Sequence, residues 1–328
     1  MKLLTCFPLN DRQIAQIQAA VPDWEVVQAN QENVAELIGR CDVFCGHGRH
    51  HQIAWPDVVA AGRLKWIQSS AAGMDHCLVP AVINSEIEVS GCSGLFCDSV
   101  AEQAMALVLA LLRRLPTFFQ AQQNREFVRR PTDDLHGKTI GIIGFGGNGQ
   151  RIAEVLQPFG NRVLATDLLP LEWQATQRIP PIETLMPAAE IGKLLKQCEV
   201  VILTAPLNPS TERLMGAAEL RQMPRGSYLI NVGRGKLVDE EALLEALRSE
   251  HLQAAGLDVT WTEPPPADSP LWSQPNLVLT PHVGAQAAVR YQRVVELLLE
   301  NLKRFCSGKR LRNRVDKQLG FSRPEDRC

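Results

Sequence analysis

The segment Lys138-Thr-Ile-Gly-Ile-Ile-Gly144-Phe-Gly146-Gly-Asn-Gly149 constrains the fold more than any other part of the chain. An apolar run of strand character enters G-x-G-x-x-G, and Gln150–Leu156 continues with helical spacing. Glycines there let the backbone approach an anion resting on the N–H groups of the helix start. Gly144, Gly146 and Gly149 are the fingerprint, while Gly147 and Asn148 offer mainly backbone N–H groups. A second strand, Val163-Leu-Ala-Thr-Asp167, ends in an acid 23 residues beyond Gly144. A carboxylate at that distance bonds the adenosine ribose hydroxyls of a dinucleotide and repels a 2′-phosphate, so NAD is expected rather than NADP. The same glycines would also serve a helix packed tightly on a sheet, with Asp167 an ordinary turn acid. The order strand, glycines, helix, strand, acid favours the dinucleotide.

The rest of the chain repeats this alternation twice. Met1–Cys6, Trp24–Gln28, Asp42–Cys45, Lys65–Gln68 and Glu88–Ser90 read as strands separated by helical stretches. After a polar segment from Arg125 to His136 come Lys138–Gly144, Val163–Thr166, Val200–Thr204, Tyr228–Val232, Ala254–Asp258 and Leu277–Thr280. Helical patterns at Leu185–Lys196, Ala217–Arg221 and Glu240–Arg248 fill the gaps, and Ala287–Phe305 is a last long helix. Strand–helix alternation of this kind predicts parallel sheets covered on both faces. Ser99–Leu115 is apolar on most sides, with Ser99 a candidate N-cap and Pro116 beyond its end. A helix so apolar is expected to be buried between domains or in a subunit interface.

Composition excludes several classes. With 34 Lys+Arg against 36 Asp+Glu, the net charge of −2 argues against a broadly basic nucleic-acid binder. The longest apolar stretch, Ala104–Leu112, is far short of a membrane span. The N-terminus makes a poor signal peptide, so a cytoplasmic location is expected. Nine scattered cysteines, an odd number, read as reduced thiols, and their spacing gives no metal knuckle.

Further blocks lie along the second half: Thr204-Ala-Pro-Leu207, Leu229-Ile-Asn-Val-Gly-Arg-Gly235, Gly256-Leu-Asp-Val and Thr280-Pro-His-Val-Gly284. Ser69-Ser-Ala-Ala-Gly-Met-Asp-His76 and Ser99-Val-Ala-Glu102 precede them. Together with the glycine loop, in this order, they resemble the D-isomer-specific 2-hydroxyacid dehydrogenase family, from about Asp42 to Gly308. The resemblance implies an α/β protein of two doubly wound parallel-sheet domains. A flavodoxin-like catalytic domain, residues 1–98 and 289–328, would be interrupted by a Rossmann NAD-binding domain, residues 99–288. It implies a homodimer built through the NAD-binding domains, and the substrate between the two domains of each chain.

It also implies three catalytic side chains. Arg234 falls in the Val-Gly-Arg-Gly block; Glu263 lies 29 residues later and five beyond Asp258; His282 lies 19 past Glu263. Reducing a 2-oxo acid puts a hydride on the carbonyl carbon and a proton on its oxygen. A protonated His282 can supply that proton and remove it in reverse. A carboxylate at Glu263 would fix the ring's tautomer and stabilise the imidazolium, and Arg234 would bind the substrate carboxylate and polarise the ketone. Taken singly, each has a plain alternative: a surface arginine, a loop acid, a helix cap. Around the cofactor, Thr204, Ala205, Pro206 and Thr211 should line the dinucleotide, Val232 and Gly233 offer backbone near the nicotinamide, and Asp258 face its carboxamide. Ala72 and Gly73 should donate N–H groups to the substrate carboxylate. Arg49, in the Gly46–His51 loop, is a candidate for reading the substrate's variable end. Glyoxylate or hydroxypyruvate is the first expected substrate type. The rival is an NAD-sensing binding protein like the family's transcriptional corepressors. A formate-type activity is disfavoured because Glu263 stands where those enzymes place a glutamine. Trp261, between Asp258 and Glu263, departs from the family pattern.

Overall fold

Short apolar runs ending in glycine or polar residues become parallel strands here, because helices between them cover both faces of each sheet. The computed structural model describes residues 1–48, 53–169 and 182–327. Arg49 and its neighbours to Gln52 therefore lie outside the described residues. The chain divides into two units, Met1–Phe96 with Ala287–Cys328, and Cys97–Gln286.

The first unit opens with β1 (Lys2–Cys6), α1 (Asp11–Ala20), β2 (Glu25–Gln28), α2 (Val34–Leu37), β3 (Val43–Gly46), α3 (Trp55–Ala60), β4 (Trp66–Ser69), α4 (Pro80–Ile83) and β5 (Glu88–Ser90). Its parallel sheet has the order β2-β1-β3-β4-β5, the flavodoxin-like arrangement. Asn10 starts α1 with a reciprocal capping box: its Oδ1 accepts from the Gln13 N–H, and Gln13 Oε1 accepts from the Asn10 N–H. Leu4, Phe44, Ile67, Val58 and Val82 belong to the core of this unit.

The second unit begins with α5 (Cys97–Leu112) and α6 (Leu115–Gln123). It continues through β6 (Thr139–Ile143), α7 (Gly147–Leu156), β7 (Arg162–Asp167), β8 (Thr184–Pro187), α8 (Ile191–Leu195), β9 (Val200–Leu203), α9 (Ala217–Gln222), β10 (Ser227–Asn231), α10 (Glu240–Arg248), β11 (Leu252–Leu257) and β12 (Leu277–Leu279). Its seven strands run in the order β12-β11-β10-β9-β6-β7-β8. The direction of winding reverses between β6 and β9, which is where open α/β sheets place ligands.

Four expectations need correction. Helix α5 starts at Cys97, so Ser99 lies inside the first turn instead of capping it. Pro116 opens α6, bent by 65° from α5, because a proline fits the first helical turn. The apolar face of α5, including Val100, Ala104, Leu107, Val108 and Leu111, is buried within the second unit against α7, β10 and β11. Leu185–Lys196 is not one helix: Thr184–Pro187 pairs with β7 as an edge strand, and only Ile191–Leu195 is α-helical. So short an apolar run carries no decisive period, and pairing at the sheet edge settles it. No single helix among the described residues is long and apolar enough to cross a membrane. Buried Cys41 and Cys198 are free thiols, pushed up to about 12 by burial, and act as packing groups.

The chain then returns to the first unit as α11 (Arg290–Cys306), β13 (Val315–Asp316) and β14 (Phe321–Ser322). A buried polar chain docks α11 on the first sheet. Asn301 Nδ2 donates to Gln68 Oε1 at 2.9 Å; Ser90 Oγ donates to the same oxygen at 2.9 Å; Trp66 Nε1 donates to Ser90 Oγ at 2.8 Å. Asn301 also holds both backbone groups of Arg312, accepting from its N–H and donating to its carbonyl. Asn301 is fully buried, so its loss strands several polar groups out of water. Asn301→Ala is expected to lower stability by about 2–4 kcal/mol, read from chemical denaturation with an unchanged slope. A loss under ~0.5 kcal/mol would show that water replaces the amide.

Candidate active site

Most of the candidate cofactor and catalytic residues follow the C-terminal ends of strands in the second sheet. Gly144 follows β6, Asp167 ends β7, Thr204 follows β9, Val232 follows β10, Asp258 follows β11 and Thr280 follows β12. Parallel pairing throughout brings these ends to one edge. Gly144 and Thr204 flank the reversal point between β6 and β9.

The glycine loop is built by close approach. Gly144 has φ +93, and a Cβ there would sit 2.6 Å from the Ala205 nitrogen. A Cβ on Gly149 would meet the Gly144 carbonyl oxygen at 2.3 Å, whereas one on Gly146 would meet nothing within 4 Å. The first and last glycines thus bring α7 and the β9 loop together. The middle one leaves open space at the start of a ten-residue helix, as a pyrophosphate requires. Thr204 Oγ1 donates to the Gly144 carbonyl, so this hydroxyl braces the loop itself. Thr211 Oγ1 likewise works inside its own loop, donating to the Pro206 carbonyl at 2.8 Å. Asp167 accepts from the Phe145 N–H at 2.5 Å and the Leu169 N–H at 2.8 Å, which aims the acid back toward the glycines.

Arg234 leaves the end of β10 through a tight turn held by Asn231. The buried Asn231 Oδ1 accepts from the Gly233 N–H at 3.0 Å, and its Nδ2 donates to the Arg234 carbonyl at 2.9 Å. Gly235 packs against the next loop so tightly that a Cβ would lie 1.9 Å from the Thr260 carbonyl oxygen. That contact joins the Arg234 turn to the loop bearing Glu263.

Glu263 and His282 meet directly, with His282 Nδ1 2.7 Å from Glu263 Oε2. The other carboxylate oxygen accepts from the Thr260 N–H at 3.3 Å. Burial tends to push the Glu263 carboxyl up. The hydrogen bond and charge of His282, the Thr260 N–H and the Arg234 charge outweigh it and hold the group below its ordinary value. Glu263 is therefore ionised at neutral pH, as a partner to an imidazolium must be. His282 has a left-handed backbone, φ +53, and its N–H donates to the Asp258 carbonyl at 2.8 Å.

Asp258 anchors that turn. Its carboxylate, 2% exposed, accepts from the Thr280 hydroxyl at 2.6 Å, the Val283 N–H at 3.0 Å and the Gly284 N–H at 2.8 Å. Gln103 Nε2 on α5 adds contacts of 3.3 Å to Asp258 and 2.8 Å to Thr280. The sequence reading placed Asp258 toward the nicotinamide; the contacts seen here are to the His282 turn and to α5. Asn231 and Gln103 escaped that reading, although Asn231 sits inside the quoted Leu229–Gly235 block. Ala72 and Gly73 lie on the turn after β4, in the first unit, where Ser69 Oγ accepts from the Ala71 N–H.

The family model described as D-isomer specific 2-hydroxyacid dehydrogenase, NAD binding domain, matches residues 105–284. A glyoxylate reductase of Thermofilum pendens is 33% identical over 273 residues, covering 81% of this chain and 78% of that protein. A crystal structure of a D-isomer specific 2-hydroxyacid dehydrogenase family protein from Aeromonas salmonicida subsp. salmonicida is 31% identical. It matches with TM-score 0.81 over 96% of this chain and 99% of its own. A D-isomer specific 2-hydroxyacid dehydrogenase from Xanthobacter autotrophicus, in complex with NADPH and MES, matches with TM-score 0.80. It is 26% identical and covers 97% and 99% of the two chains.

Proposed function

The chain belongs to the D-isomer specific 2-hydroxyacid dehydrogenases, and from that premise we propose that it reduces a small 2-oxo acid, of the glyoxylate or hydroxypyruvate type, to the D-2-hydroxy acid. The observation that carries the reading is the 2.7 Å contact between His282 and an ionised Glu263, one loop from Arg234. NADH, when bound, supplies the hydride that the carbonyl carbon receives. Gly144, Gly146 and Gly149 shape the backbone cradle for its pyrophosphate, and Gly147 and Asn148 give N–H groups at the start of α7. With Nδ1 committed to Glu263, His282 holds the transferable proton on Nε2. That proton passes to the carbonyl oxygen during reduction, and Nε2 takes it back from the hydroxyl during oxidation. Glu263 keeps its charge throughout and stabilises the imidazolium. Arg234 binds the substrate carboxylate and the carbonyl oxygen with its planar fork of donors.

For assembly we propose a face other than that of α5. Helix α5 spends its apolar side inside its own unit, but Leu115, Phe119, Phe127 and Val128 are exposed within fourteen residues, Phe119 at 59%. We assign this patch to a second copy of the chain, paired through the second unit. Sedimentation should give a dimer at micromolar concentration, and Phe119→Asp should weaken it; a wild-type monomer would remove the assignment.

Cofactor choice should follow Asp167. NADH is expected to serve far better than NADPH, and Asp167→Ala should narrow the ratio of their kcat/KM values. Equal efficiencies in the wild type would sink this.

The pH dependence has a definite sign. Reduction needs the imidazolium, so its rate should fall as pH rises, while oxidation, needing the neutral ring, gains over the same interval. Glu263→Gln removes the charge that stabilises the imidazolium and should move both limbs toward acid. His282→Ala should cost at least ~100-fold in turnover with NADH binding retained. Wild-type turnover in His282→Ala, with the profile unchanged, would hand the site to a binding role of the corepressor kind.

A further inference from the structure

Three loops of the second unit converge on one indole ring. Arg213, from the loop after β9, places its guanidinium carbon 5.1 Å from the Trp261 ring centroid. Lys236, two residues past Arg234, places its ammonium 5.7 Å from the same centroid. Those two loops are also tied by backbone: the Arg213 N–H donates to the Lys236 carbonyl at 2.8 Å, and the Met215 N–H to the Leu237 carbonyl at 2.9 Å. The third loop belongs to Trp261 itself, whose N–H donates to Glu240 Oε1 at 2.7 Å, at the start of α10.

Trp261 lies between Arg234 and Glu263 along the chain, and its backbone meets the Arg234 turn. Gly235, next to Arg234, has its Cα so close to the Trp261 backbone that a Cβ would lie 2.5 Å from the Trp261 nitrogen. Glu263, two residues beyond Trp261, reaches back to the Thr260 N–H with one oxygen and to His282 with the other. A cation over an indole face is held electrostatically. Two cations from separate loops therefore link the Arg234 turn to the Glu263 loop through the ring. The charged groups around the assembly are Arg213 with Asp239 at 3.7 Å, Lys236 at the ring, Glu240 on the Trp261 backbone N–H, Arg234 beside Glu263, and Asp258 beneath the His282 turn.

We propose that Trp261, clamped by Arg213 and Lys236, is a positioning residue that fixes the placement of the Glu263–His282 pair relative to Arg234. This rests on the reading of those three side chains as the reacting groups. A misplacement of about 1 Å in such a constellation can cost on the order of 100-fold in rate.

The test uses the full chain, with Trp261→Ala, Trp261→Phe and the Arg213→Gln/Lys236→Gln double variant. Turnover with glyoxylate and NADH, its pH profile and the KM for NADH are measured together. The His282 ring is titrated separately by NMR on histidine-labelled protein, with His282→Ala assigning the signal. Trp261→Ala should lower kcat by ~10-fold or more at an unchanged KM for NADH. Its His282 titration should move toward that of Glu263→Gln. Trp261→Phe should recover most of both effects. Should Trp261→Ala not fold, the double variant, which keeps the ring and removes both cations, decides on the same measurements. A variant that only melts earlier, with kcat, pH profile and ring titration as in the wild type, overturns the proposal. No 2-oxo acid turnover in the wild type would defeat the functional reading instead, and the ring titration would still decide the role of Trp261.

Discussion

A carboxylate taken almost wholly out of water must be repaid with hydrogen bonds, and at Asp258 they come from the turn that carries His282. Thr280, Val283 and Gly284 all donate to it, and its backbone carbonyl takes the His282 N–H. Removing one such partner leaves a buried charge under-satisfied, a penalty of several kcal/mol. The turn is thereby over-determined, which is the condition under which a non-glycine residue persists at positive φ. The turn so held places the His282 ring against Glu263. The Glu263–His282 contact thus hangs on a buried carboxylate that belongs to neither residue.

The same economy of space explains the glycines. Gly144 and Gly235 are not simply flexible positions; each marks a place where two loops approach to backbone contact. At Gly144 the β6 loop meets the β9 loop, and at Gly235 the Arg234 turn meets Thr260. Both junctions lie at the C-terminal edge of the second sheet, where parallel strands end without pairing partners ahead of them. Such an edge is assembled from loops, so the loops must hold each other. Thr204 and Glu240 do this by hydrogen bonds, and Gly144 and Gly235 by yielding volume.

How much of this was legible in the sequence depends on range. The strand–glycine–helix unit, the acid at Asp167 and the blocks around Arg234 and His282 are local patterns, and they placed the sheet edges well. The Glu263–His282 contact spans 19 residues, and only the family resemblance anticipated it. Gln103 and Asn301 were silent because their meaning comes from partners more than 100 residues away: a helix amide is unremarkable until it is found under a buried carboxylate or a sheet. Helix α6 was missed for the opposite reason. Pro116 reads as a terminator, and only the left-handed Arg114 before it shows that the chain restarts a helix in a new direction. The edge strand β8 needed its neighbour β7 to declare itself.

In the proposed cofactor reading, Asp167 serves shape and selection together. Its oxygens accept from Phe145 and Leu169, so the acid helps to pull the glycine loop onto the end of β7 before any ligand arrives. A carboxylate oxygen accepts more than one hydrogen bond, which leaves the group able to take ribose hydroxyls in the same posture. The charge that organises the loop is the charge that a 2′-phosphate would meet. In the proposed cofactor reading, loss of Asp167 would loosen the cradle for either dinucleotide while lifting a repulsion felt by only one of them. The ratio of the two cofactors, and not the absolute rate with either, isolates the electrostatic part of its role. The Phe145 contact is made by the chain alone, so in the proposed reading it weighs on both cofactors alike and cancels in the ratio.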